Sequence, residues 1–187
     1  MQNKKRNLAL FCVGALLVFS IVSGLVLPYI KNKDIDVVDK NTDFVETEKV
    51  LVPNFEFMDR DGNVVDFESF KGKPVVINFW GTWCPYCKLE MEDFNKAAGE
   101  YKDDVNFLFL DVADSEAETV ERVEDYLNDK GFDNIVSYYD KPGYGIYMFG
   151  INSFPTTVYV DREGYLFDAT IGMTNYNDIK DVIDSML

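Results

Sequence analysis

A dithiol placed where a strand runs into a helix constrains this chain more than any other feature. Cys84 and Cys87 flank Pro85-Tyr86, directly after an apolar run, Val75-Val76-Ile77-Asn78-Phe79-Trp80. The residues behind them, Lys88-Leu89-Glu90-Met91-Glu92-Asp93-Phe94, read as a helix. A strand that ends in Cys-x-x-Cys and opens a helix sets both sulfurs at the positive end of the helix dipole. Such a pair is suited to electron exchange between thiols and disulfides.

The chemistry depends on the thiolate, because only the thiolate attacks a disulfide. At a helix entrance Cys84 meets backbone N–H groups that have no partner inside the helix. Pro85 suits the first turn, having no N–H to leave unsatisfied. Cys87 lies one turn on, within a span that a disulfide closes. Cys84 is therefore expected to be the nucleophile, exposed at the turn. Cys87, more buried, is expected to resolve the mixed disulfide. A zinc knuckle would need a second ligand pair. The chain offers only Cys12 besides these two cysteines, and no histidine at all. A purely structural bridge closing so short a loop would remove little unfolded-state entropy.

Composition excludes further classes. Without histidine there is no Ser-His-Asp or Cys-His catalysis. The net charge is −15; residues 1–33 hold five basic residues and no acid, so residues 34–187 carry −20. That surface repels phosphate backbones, and no nucleic-acid partner is expected.

Leu8 to Ile30 is a run of 23 residues without a charge, preceded by Lys4-Lys5-Arg6. It is long enough for a transmembrane helix, and the basic cluster favours a cytoplasmic N-terminus. A cleaved signal peptide, with Val22-Ser23-Gly24 as a small-residue site, competes with the anchor. A lipoprotein signal at Cys12 is a third option, poorly served by Phe11. All three place the folded domain outside the cytoplasm. The expected organisation is a cytoplasmic N-terminus at 1–7, a membrane anchor at 8–30, a charged linker at 31–50 and a single folded domain at 51–187.

Within the domain, Phe55-Glu56-Phe57-Met58 and Val64-Val65-Asp66-Phe67 flank Asp59-Arg60-Asp61-Gly62-Asn63, the signature of a β-hairpin. Strands are expected at 75–80, 105–111, 135–139, 156–160 and 166–171. Helices are expected from Pro85 to Tyr101, behind Ser115, and from Tyr176 to Leu187. Ser115-Glu116-Ala117-Glu118 has the capping-box pattern, and Gly131 fits the helix stop. The acids Glu116, Glu118, Glu121, Glu124 and Asp125 read as a solvated face rather than a metal site. This order of elements predicts an α/β sandwich with a mixed sheet.

The segment Asn78-Phe79-Trp80-Gly81-Thr82-Trp83-Cys84-Pro85-Tyr86-Cys87 resembles the active-site segment of the thioredoxin superfamily. More narrowly, it is similar to the membrane-anchored ResA/TlpA-like thiol-disulfide oxidoreductases. The likeness runs from about Val52 to Leu187 and includes Asp61-Gly62, Ser153-Phe154-Pro155-Thr156-Thr157 and Asp161-x-x-Gly164. It implies a thioredoxin-like fold, a mixed central sheet flanked by helices, with an N-terminal β-hairpin and one transmembrane helix in front.

The resemblance also implies roles. Pro155 matches the cis-proline that sits against the dithiol and exposes the backbone of Phe154 to substrate. Gly172 matches a glycine that lets a neighbouring loop approach. Glu90, three residues after Cys87 and on the same side of the helix, matches a buried acid that moves protons for the cysteine pair. Each has a plainer alternative: a trans strand-entry proline, a strand-end glycine, a solvent-facing helix glutamate. Asn78 stands where cytoplasmic thioredoxins have an acid, a feature shared with ResA-like sequences. Pro85-Tyr86 departs from the typical ResA pair and resembles glutaredoxins, which leaves the direction of electron flow open. Trp83, Pro85 and Tyr86 offer a substrate protein an apolar contact, or cap the local core.

The expected activity is a protein-disulfide reductase, a monomer that needs no cofactor and is re-reduced by a membrane thiol donor of the CcdA/DsbD type. Its expected partners are disulfide-containing client proteins, with apocytochrome c or a methionine sulfoxide reductase as candidates. A disulfide-forming oxidase would use the same residues in reverse. A non-catalytic thioredoxin-like adaptor and a peroxiredoxin-like peroxidase are further options. The first is opposed by the intact Cys84, Cys87 and Pro155, the second by the absence of its Pro/Thr cysteine loop.

Overall fold

Six consecutive buried residues, Val75–Trp80, form strand β3 near the middle of the sheet, and the rest of the fold is laid against it. A computed structural model describes residues 49–112, 117–140 and 142–187. The other strands are β1 (Glu56–Met58), β2 (Val64–Asp66), β4 (Asn106–Asp111), β5 (Ser137–Tyr139), β6 (Thr156–Val160) and β7 (Leu166–Ile171). The helices are α1 (Pro85–Glu100), α2 (Val120–Lys130), α3 (Tyr144–Phe149) and α4 (Tyr176–Met186). The seven strands run in the order β2-β1-β5-β4-β3-β6-β7. β3 pairs in parallel with β4 and antiparallel with β6, so the sheet is mixed.

Alternation along β3 divides the core in two, because successive side chains point to opposite faces of a strand. Val76 and Trp80 join Met91, Phe94, Val123, Leu127, Ile179 and Ile183, the buried stripes of α1, α2 and α4. Val75, Ile77 and Phe79 join Phe55, Phe57 and Phe67 of the leading hairpin, with Phe149 of α3 packed alongside. Asn78 is the exception on β3, a fully buried amide on the helix-covered face. The hairpin forms as expected. Asp59 turns the chain by accepting the N–H groups of Asp61 and Asn63, both at 2.9 Å, and Gly62 takes the left-handed φ of 83°.

Three expectations are revised. The helix behind Ser115 begins at Val120, and its N-cap is Thr119, whose hydroxyl accepts the N–H of Arg122 at 3.2 Å. Ser115 and Glu116 lie outside the described residues. Glu118 precedes the helix and is buried, not part of a solvated face, because its carboxylate is engaged by Thr82. Third, the short helix α3 had no counterpart in the sequence reading. Left-handed glycines, Gly143 and Gly150, bracket it, and Asp140 receives the N–H groups of Gly145 at 3.1 Å and Ile146 at 2.8 Å. Gly131 ends α2 at φ 69°, as its position suggested. Among the described residues no helix is long and apolar enough to cross a membrane. The run Leu8–Ile30 and residues 31–48 of the expected linker lie outside them.

Candidate active site

The turn after β3 delivers the dithiol. Cys84 N–H closes onto the carbonyl of Gly81 at 3.1 Å, and α1 starts at Pro85 with Cys84 as its N-cap. The Cys84 sulfur accepts the N–H of Cys87 at 3.2 Å, so the cap is the reactive atom itself. Cys84 and Cys87 are disulfide-bonded, with Cα atoms 5.3 Å apart. The first turn of α1 carries no acidic residue, so no like charge there opposes a thiolate. Cys84 is 3% exposed and Cys87 fully buried. The order is as expected, but an openly exposed Cys84 is not. In the closed disulfide both sulfurs belong to the core cluster against which Trp83 and Phe154 pack.

Trp83 is held rather than loose. Its indole N–H donates to the carbonyl of Val112 at 2.8 Å, and its ring meets Phe154 edge-on at 5.2 Å between centroids. Gly81 has to be a glycine for this arrangement, since a Cβ there would enter the Trp83 indole, whose ring carbons lie 2.9 Å away. Tyr86 is 63% exposed and Leu89 67% exposed, so the first turns of α1 present apolar surface beside the dithiol.

Pro155 is buried one residue before β6, and the Phe154–Pro155 peptide is cis. The antiparallel register places Phe79 opposite Thr156, which brings the Pro155 end of β6 to the dithiol end of β3. The Pro155 carbonyl accepts the N–H of Gly172 at 2.9 Å. Gly172 has φ of 94°, while a Cβ on it would meet nothing within 4 Å. Its glycine is required by backbone conformation, not by the close approach of a loop.

Glu90 is 1% exposed, not solvent-facing. One carboxylate oxygen accepts from the Asn78 side-chain amide at 2.9 Å, the other from the N–H of Thr174 at 2.9 Å. The Asn78 amide also donates to the Thr157 hydroxyl at 3.1 Å. Burial pushes the Glu90 carboxyl up to about 7, against the lowering pull of the Thr174 and Asn78 hydrogen bonds. A carboxyl poised there is half-protonated near neutrality, the condition for giving and taking protons. It sits one helical turn beyond Cys87 on the buried side of α1.

Sequence reasoning missed another buried carboxylate at the dithiol turn, 36 residues from its partner. Glu118 accepts from the Thr82 N–H at 2.5 Å and from the Thr82 hydroxyl at 2.6 Å. Arg122 approaches the same pair, 3.0 Å from the Thr82 hydroxyl and 3.5 Å from the carboxylate. Only a contact map could have found this, since Glu118 reads locally as one acid in an acidic stretch. Among the described residues no group of three or more His, Cys, Asp or Glu side chains could hold a metal ion.

The site's segments recur in known proteins. Residues 47–183 match the Redoxin family. The chain is 32% identical over 173 residues to the thiol-disulfide oxidoreductase ResA of Bacillus thuringiensis (strain Al Hakam), covering 90% of each chain. It is 32% identical over 133 residues to the thiol:disulfide interchange protein DsbE of Vibrio cholerae serotype O1, covering 70% of this chain and 64% of that one. Among solved structures, the pneumococcal exposed lipoprotein thioredoxin Etrx1 of Streptococcus pneumoniae strain TIGR4 superposes with a TM-score of 0.62 at 25% identity. That match covers 71% of this chain and 99% of that one.

Proposed function

This chain belongs to the Redoxin family and is a ResA-like thiol-disulfide oxidoreductase, and from that premise we propose that it works as a reductant of protein disulfides outside the cytoplasm, tethered by residues 8–30. The observation that carries the reading is the Cys84–Cys87 pair at the head of α1 with the buried, proton-ready Glu90 one turn behind it.

The reduced protein starts the cycle. The Cys84 thiolate, favoured by the N–H groups at the helix start, attacks one sulfur of a client disulfide. That bond breaks, the other client sulfur leaves as a thiolate and takes up a proton, and a mixed disulfide joins Cys84 to the client. Cys87 gives its proton toward Glu90 and attacks the Cys84 sulfur. The client's second sulfur departs and is protonated in turn. The two electrons and two protons of the dithiol now reside on the client, and Cys84–Cys87 is oxidised. Trp83, Tyr86 and Phe154 supply apolar surface for the client, and the Phe154 backbone beside Pro155 aligns it. A membrane thiol donor of the CcdA/DsbD type re-reduces the pair. The likeness to ResA supports apocytochrome c maturation as the pathway, with a methionine sulfoxide reductase as the other candidate client.

The reduction potential of the full-length protein tests the direction of flow. A value below about −260 mV, under the glutathione range and more reducing than glutaredoxins and the disulfide isomerase, is expected. A value near about −120 mV would make the protein an oxidase that uses the same residues in reverse. Cys87→Ser, which stalls the cycle at the mixed disulfide, is expected to trap the client on Cys84.

A further inference from the structure

Glu118 has no part in the cycle above, yet it is among the most heavily engaged carboxylates in the structure. Its side chain is 2% exposed, and both oxygens are taken by one residue, Thr82, which stands two positions before Cys84. Buried carboxylates are rare unless paired. The pairing here is to Arg122, whose guanidinium is half-exposed and reaches both the Glu118 carboxylate and the Thr82 hydroxyl.

The residues around it form a two-point clamp on the active-site turn. At the end of β4, Val112 donates its N–H to the Trp80 carbonyl at 2.9 Å and accepts the Trp83 indole N–H at 2.8 Å. Just before α2, Glu118 takes both polar groups of Thr82. Gly81 to Cys84 is the turn between these anchors, closed by its own hydrogen bond. The turn fixes where Cys84 sits, and Cys84 in turn caps α1 with its sulfur.

We propose that Glu118 is a positioning residue for the dithiol, which through Thr82 holds the Gly81–Cys84 turn so that the Cys84 sulfur stays against the N–H groups that favour its thiolate. This rests on the dithiol exchange described above. The sign of the effect separates positioning from charge. A carboxylate acting through space would disfavour a nearby thiolate, so its removal would favour it. A carboxylate acting as a clamp holds the sulfur where the helix start stabilises it, so its removal disfavours the thiolate.

The test uses the full-length reduced protein and its Glu118→Ala, Glu118→Gln and Thr82→Val variants. The readouts are the iodoacetamide rate at Cys84, followed by peptide mass, and the thiol–disulfide equilibrium with glutathione. Glu118→Ala is expected to slow Cys84 alkylation at neutral pH about tenfold, the effect of one pKa unit. It is also expected to shift the equilibrium toward the disulfide. Glu118→Gln keeps an acceptor for the Thr82 N–H and a donor for its hydroxyl, and is expected within about threefold of the wild type, half a pKa unit. Faster alkylation in both the Ala and Gln variants would overturn the proposal in favour of a charge effect. An unchanged rate in Glu118→Ala, with only a lower melting temperature, would overturn it in favour of a purely structural role. If Glu118→Ala does not fold, Thr82→Val carries the test, since it keeps the N–H contact to Glu118 and deletes only those of the hydroxyl, to Glu118 and to Arg122. A slowing of about threefold supports the clamp and an unchanged rate refutes it. A wild-type protein that does not exchange with glutathione at all would overturn the dithiol reading and the clamp together. Failure of the clamp alone shows in the ratio of variant to wild type.

Discussion

Replacing Glu90 by Gln should remove a pH dependence from the stability of this protein. The folded carboxyl titrates at about 7 against an ordinary value of 4.5, because burial disfavours its charge. Between those values the folded state binds a proton that the unfolded state has released. Stability therefore falls as pH rises through the window, and Glu90's share is constant below and above it. At about 1.4 kcal/mol per pKa unit, the raised value corresponds to roughly 3 kcal/mol lost between pH 4.5 and 8. With a urea m-value of about 2 kcal/mol/M, the unfolding midpoint should move by about 1.5 M over that range. Glu90→Gln is neutral throughout. Any penalty from placing its NH₂ near the donors of Asn78 and Thr174 is the same at every pH. The assay is urea unfolding of the oxidised wild type and variant at pH 5, 6, 7 and 8. The closed Cys84–Cys87 bond keeps the cysteines out of the titration. Taking the difference between the two proteins cancels the other carboxyls, including Asp140, whose value burial also raises. A difference that stays flat from pH 5 to 8 would refute the reasoning. Glu90 would then be ionised and solvated in the folded state, and its place in the proton traffic would be lost.

Other outcomes follow from the same geometry. Gly81→Ala drives a Cβ into the Trp83 indole and should cost about 1–3 kcal/mol in urea unfolding; a neutral substitution would mean that Trp83 is not pinned. In the reduced protein, iodoacetamide should label Cys84 about tenfold or more faster than Cys87, as a thiolate at the helix start would be, and equal rates would remove the assignment of nucleophile. Thr119→Ala should lower stability by about 1 kcal/mol because Thr119 caps α2; no loss would return the start of that helix to an earlier residue.

The sequence shows clearly those parts of the fold that rest on local patterns. The run 75–80, the Asp61-Gly62 turn, the stop at Gly131 and the spacing of Ile179, Ile183 and Met186 each carry their structure within a few residues. The dithiol is likewise local, since strand, turn and helix start are contiguous. What escaped the sequence depends on contacts between distant segments. α3 is six residues long, too short for a helical period to stand out, and is defined by its flanking glycines and by Asp140. The start of α2 was misplaced because Ser115 and Glu118 imitate a capping box. Glu118 instead satisfies a donor pair on a turn 36 residues away, and Thr119 takes over the cap. The burial of Cys84 was missed for a similar reason, since Phe154 arrives from a segment 70 residues further along the chain.

The N-cap of α1 bears on how inert versions of this protein should be made. Because the Cys84 sulfur accepts the Cys87 N–H, the two usual replacements of a redox cysteine are not equivalent here. Serine offers an oxygen that belongs to the strongest helix-capping group, whereas alanine leaves that N–H without an acceptor, a loss of about 1 kcal/mol. A Cys84→Ala protein used as a blank would be chemically silent and also altered at the start of its helix. Any loss of client binding in it would mix two causes. Cys84→Ser separates them, and the gap between the two blanks measures how much of the site's order depends on the atom that is oxidised and reduced again in each turnover.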